Sequence, residues 1–139
     1  MESTTDQTAN LSRPRTVATA VQLLAAALGL GLLRSILNLA QNTSGAQMFF
    51  ALLIVIAFFG ILFWVVRKIS AGKNWARILV LIIMLVLILF LPFAIPAYLH
   101  EVRRSALLGT LSIIITLLQL IGTALLFTKQ SNLWFKTRR

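Results

Sequence analysis

Few residues in this chain could do chemistry, and most of them fall in two places. Glu101 is the only carboxylate beyond the first six residues, and it stands beside the single histidine, His100, with Arg103 and Arg104 following. A carboxylate next to an imidazole could move a proton or bind a metal, but one of each supplies too few ligands for a stable metal site. The plainer expectation is an ion pair, Glu101 with Arg34 or with Arg104 three residues on. The second place is Ser105, Gly109, Ser112, Thr116, Gln119 and Thr123, spaced alternately four and three residues apart. Hydroxyls need an adjacent base to become nucleophiles, and this stretch has none. The chain contains no cysteine, which removes thiol catalysis, thiolate metal sites and disulfides together. No catalytic residue, metal site or cofactor is expected.

The elements that carry these residues are set by an apolar composition. Of 139 residues, 59% are hydrophobic and 12% charged, with a mean hydropathy of +0.93. A soluble domain of this size has too little interior to hide that surface, so the expected solvent is a bilayer. The net charge of +10 would suggest nucleic acid in a soluble protein. Here the basic residues flank apolar runs, where they set orientation and meet anionic lipid headgroups, so nucleic acid is not an expected partner.

Four apolar stretches approach the roughly 20 residues needed to cross the hydrocarbon core. They run over about 17–39, 48–66, 78–95 and 106–127, and the second and third contain no charged residue. The first is interrupted by Gln22, Arg34 and Asn38. It is too long for a signal peptide and lacks a small-x-small cleavage site. Arg34, near its far end, is expected to snorkel to the interface. Thr43, Ser44 and Gly45 supply a first turn, Gly72 breaks the chain again, and Pro96 is expected to stop the third helix, with Pro92 bending it. Short links make neighbours antiparallel. The expected fold is an all-α, four-helix up-down-up-down membrane bundle over 17–127. It is flanked by a polar N-terminal tail (1–16), expected to be disordered over 1–12, and a basic C-terminal tail (128–139).

Charge fixes the expected orientation. The two tails and the middle link carry ten of the thirteen Lys and Arg residues; Arg34, Arg103 and Arg104 make up the other three. The more basic side is cytoplasmic by the positive-inside rule, which puts both termini inside. Arg67, Lys68, Lys73 and Arg77 are expected to lie on anionic headgroups, with Trp75 and Trp134 anchored at the interface by rings that bury while their N–H groups stay wet. Gly72-Lys73 is not a phosphate loop, since the upstream glycine and the following Ser or Thr are missing.

The Ser105-to-Thr123 stripe has a heptad-like spacing that puts all six residues on one helix face. Small and polar residues there let backbones approach and supply interhelical hydrogen bonds. Because no ionisable group lies on the stripe, packing is expected over a wet pathway. Ala18, Gln22, Ala25 or Ala26, and Gly29 form a matching face on the first span. The two faces are expected to meet each other, or one of them to meet a partner, because an unpaired amide is costly in hydrocarbon.

Three short segments carry a resemblance: Arg13-Pro14-Arg15-Thr16-Val17 running into Ala20-Val21-Gln22-Leu23-Leu24, Gly72-Lys73-Asn74-Trp75-Ala76-Arg77 before the third span, and Ser131-Asn132-Leu133-Trp134-Phe135 after the fourth. Together they resemble an uncharacterised group of small four-helix inner-membrane proteins of Gram-negative bacteria. The resemblance implies location and fold and lends no activity. The expected function is a non-enzymatic inner-membrane protein, an accessory, regulatory or interaction subunit that binds a membrane partner or its own copy. The alternative is a small passive channel or transporter lined by the Ser/Thr/Gln face. A proton-coupled exporter is disfavoured, because such four-span proteins rely on a membrane-embedded carboxylate and none is expected at that depth.

Overall fold

A computed structural model of the chain describes residues 13–137; most of the N-terminal tail, with Arg138 and Arg139, lies outside the described residues. The fold is all-α. Four helices are long and apolar enough to cross a membrane: α1 (Arg15–Asn42), α2 (Ala46–Ser70), α3 (Asn74–Arg104) and α4 (Ala106–Leu126). A short helix, α5 (Lys129–Thr137), follows. In hydrocarbon every backbone group must be satisfied within the segment, so unbroken apolar runs become helices. The breaks fall where side chains cannot follow or a cap is available. Gly45 precedes α2 at φ 65° and Gly72 turns the chain at φ 81°, both in the left-handed region that suits glycine. Ser105 is extended, and its Oγ accepts from the Leu108 N–H at 3.4 Å, an N-cap for α4.

Two expectations fail here. Pro96 does not stop the third helix: α3 passes through both Pro92 and Pro96 to Arg104, so the expected outer loop is helical and the α3–α4 turn shrinks to Ser105. Each proline leaves one carbonyl unbonded, which costs less in a membrane helix than releasing the whole following segment would. The C-terminal tail is also more than a basic tail. It folds as α5 and buries Ser131, Trp134 and Phe135.

The core is concentrated at one end. Val17, Ala20 and Leu24 of α1 meet Val65, Val66 and Ile69 of α2, Ala76 of α3, Leu126 of α4, and Trp134 and Phe135 of α5. Arg13 donates to Ser70 Oγ, and Arg77 donates to Asn132 Oδ1 at 2.6 Å. The N-terminal segment, the α2–α3 turn and the C-terminal helix therefore share this end. α1 packs most extensively on α4, then on α2, and α3 packs on α4, whereas α2 and α3 barely touch. Away from the shared end α2 and α3 present exposed apolar side chains such as Ile54, Leu89 and Phe93, the surface lipid covers.

The lengths explain the open half. The Arg77 guanidinium reaches the Leu126 carbonyl at 3.3 Å, and Arg104 is one residue from the start of α4. Between those levels α3 uses about 40 Å of helix and α4 about 30 Å at a rise of roughly 1.5 Å per residue. The reach of the arginine covers only part of that difference. Pro92 and Pro96 lie in this stretch and weaken its backbone hydrogen bonding.

Candidate functional site

Arg34 and Glu101 find each other across the far half of the bundle. Arg34 Nη2 donates to both carboxylate oxygens, at 2.6 and 2.5 Å. Ser112 Oγ lies 3.4 Å from Glu101 Oε2, so one carboxylate ties α1, α3 and α4 together. The side chains retain 26% and 18% exposure. Arg34 takes Glu101 as its partner, and α1 continues beyond it to Asn42, about 12 Å further along its axis. Of the two pairings open to Glu101, the structure takes the one with Arg34.

Above this pair is a polar vestibule of about 400 Å³. Arg34, Asn38 and Asn42 of α1, and Tyr98, His100 and Arg104 of α3, line it, with Ser105 at its edge. Below and to the side is a cleft of about 370 Å³ bounded by all four membrane helices. Phe58, Phe59, Leu62 and Leu87 give it apolar walls, and Ser112, Thr116 and Gln119 give it a polar one. Arg34, Ala94 and Tyr98 line both spaces, so the two adjoin. No metal-binding group of three or more His, Cys, Asp or Glu occurs among the described residues.

The α4 stripe divides its labour. Gly109, Ser112 and Thr123 are buried, while Ser105, Thr116 and Gln119 are half-buried. Of the stripe's hydroxyls, Ser112 reaches another helix, at Glu101 Oε2, and the remaining bonds stay within α4. Ser112 donates to Leu108 O and Thr116 to Ser112 O, both at 2.9 Å within α4, an option open to any helical hydroxyl. Gln119 makes no hydrogen bond among the described residues. Gly109 serves the α3–α4 hairpin, where an added Cβ would lie 2.9 Å from the Val102 Cα. The close approach of α1 and α4 occurs at Gly122, where a Cβ would lie 3.0 Å from Leu24 Cγ and 3.3 Å from Ala20 O.

The matching face expected on the first span is not the one that packs. Val17, Ala20, Leu24, Ala27 and Leu28 turn inward, while Gln22, Ala26 and Gly29 are exposed on the opposite side. Gln22 therefore does not meet Gln119, and a Cβ on Gly29 would meet nothing within 4 Å. Apolar side chains, the small Ala20 and Ala27 among them, take the inward face against the core at that end.

No protein-family model matches the chain, and no curated protein or solved structure matches it.

At the shared end the basic residues split into two groups. Arg67 and Lys73 are exposed, and Lys68 lies 5.1 Å from the Trp64 ring, which itself packs on Trp75 at 5.7 Å. These side chains are on the surface of the fold. Arg77 differs: its guanidinium is held between Phe127 and Phe135 at 4.8 and 4.7 Å. Trp134 is 4% exposed and stacks edge-on against Phe135, so it is part of the core and not an interfacial anchor. Sequence reasoning missed this clamp, together with Ser131, which meets Thr16 and Thr128 and donates to Leu125 O at 2.8 Å. The signal was a period of three to four in Ser131, Trp134 and Phe135, short enough to pass as tail.

Proposed function

We propose that this is a non-enzymatic inner-membrane protein with both termini cytoplasmic, an accessory or interaction subunit that assembles through the outward face of α1. The observation that carries the reading is Gln22. Its side chain is exposed on the lipid-facing side of a membrane helix, flanked along that face by Ala18, Ala26 and Gly29. An amide in hydrocarbon is costly until a second helix accepts it, and small neighbours allow that helix to come close. The orientation is supported by the clustering of Arg13, Arg15, Arg67, Lys68 and Lys73 at the end that both termini share.

The test is site-directed crosslinking in native membranes. The chain has no cysteine, so Gly29→Cys gives a single reactive position on this face. Crosslinks to a second copy or to a different membrane protein, weakened by Gln22→Leu, are the expected result. A Gly29→Cys variant that stays uncrosslinked in membranes where Ala18→Cys is also silent would refute it. The passive-route reading draws on Ser112, Thr116 and Gln119 lining the cleft, but Leu24, Leu28 and Val66 belong to the buried core at the shared end, which favours a closed site over a through-path.

A further inference from the structure

The vestibule and cleft have a chemistry of their own, independent of the α1 face. The upper space is polar and electropositive. Arg34 and Arg104 stand against one carboxylate, Glu101, which is already engaged by Arg34. Arg34 Nε is buried and has no hydrogen-bond partner among the described residues, and Arg104 makes no hydrogen bond or ion pair among them. The first turn of α4 starts at Ser105 on the rim. Ser105 Oγ caps the Leu108 N–H, and the helix dipole favours an anion at this end. The lower space is walled by aromatic and aliphatic side chains, with three polar groups on one side. Each volume falls within the roughly 300–1,000 Å³ of small-molecule sites.

We propose that the two spaces form one binding site for a phospholipid with an anionic headgroup, its phosphate in the vestibule and an acyl chain in the cleft. Depth favours a lipid over a soluble anion. The α4 helix is about 32 Å long, close to the roughly 30 Å hydrocarbon thickness, so its N-terminus and Arg104 stand at the level of headgroup phosphates. Access favours it as well, because α2 and α3 barely touch and the cleft between them opens sideways to the bilayer. Thr116 and Gln119, about 16 and 21 Å below Ser105 along α4, stand at acyl-chain depth.

The experiment uses the full chain in nanodiscs of equal parts phosphatidylethanolamine and phosphatidylglycerol, released and weighed by native mass spectrometry. The expected result is retention of one phosphatidylglycerol. Arg104→Gln removes an exposed side chain that the fold does not use and should lower the retained fraction about tenfold, the weight of one charge-assisted contact. Thr116→Phe fills the cleft and should lower it similarly, with helicity and melting of both variants unchanged. Equal retention of phosphatidylethanolamine would overturn the anionic assignment. Displacement by inorganic phosphate as effective as by added phosphatidylglycerol would reassign the site to a soluble anion. Retention indifferent to both substitutions would mark the lipid as annular only and end the proposal.

Discussion

The same chemical change at three glycines separates close packing from helix propensity. Gly29, Gly109 and Gly122 all lie inside membrane helices, so replacement by alanine should bring each a similar gain of up to about 1 kcal/mol in helix propensity. At Gly29 nothing lies within 4 Å of the added methyl, and that gain should appear alone. At Gly109 the methyl would sit 2.9 Å from the Val102 Cα, where carbon pairs prefer about 3.5–4.0 Å. The α3 and α4 backbones would have to part by at least about 0.6 Å across a turn with one residue of slack. Overpacking of this kind costs about 1–3 kcal/mol, so Gly109→Ala should be less stable than Gly29→Ala by that amount. Gly122→Ala should fall between them, because its nearest neighbour is the Leu24 side chain, which can yield. Unfolding by sodium dodecyl sulfate in mixed micelles, followed by helical circular dichroism, measures all three. Equal stability of Gly109→Ala and Gly29→Ala would refute the account of the hairpin.

Glu101→Gln should destabilise by about 1–3 kcal/mol, between the limits for exposed and buried pairs, while Arg34→Met with Glu101→Leu should recover most of it; a double-mutant cycle checks both. Arg77→Leu removes two ring contacts worth about 0.5–2 kcal/mol each along with its hydrogen bonds to Leu126 O and Asn132. Its C-terminal helix should become cleavable in limited proteolysis at Lys129 or Lys136 while the four long helices persist. Ser131→Ala should cost about 1 kcal/mol, because Thr16 and Thr128 each lose a hydroxyl neighbour, and thermal unfolding in detergent should register the drop.

The four spans were legible because a bilayer imposes length and hydropathy on any helix that crosses it, and the Arg34–Glu101 pair because so few charges could answer each other. The lipid-facing and inward faces of α1 were not. In a soluble protein polarity marks the outside, but in lipid both faces are apolar, and the choice between Gln22 and Leu24 was made by what α4 and α2 offered in return. The end of α3 was misplaced because proline at position 96 stops helices in water and is tolerated in hydrocarbon. Arg77 and Trp134 were assigned to headgroups by residue type. Their burial depends on α5, whose nine residues carry too little periodicity to announce a helix. The vestibule depends on Asn38, Asn42 and Tyr98 converging from two helices, which no spacing along the chain encodes.

The α2–α3 turn, Ala71 to Lys73, has a mechanical consequence. α1 and α4 lie together like the spine of a book, and α2 and α3 are its covers, stapled at the bottom by three residues and by the Val66, Ile69 and Ala76 layer. Each cover is also tied to the spine at its far end, α2 to α1 by the turn at Thr43 to Gly45 and α3 to α4 and α1 by Ser105 and the Arg34–Glu101 pair. The covers therefore spread at the top only as far as α1 and α4 move with them. A bilayer that thickens or thins would meet one end held by the staple and the other held through the spine.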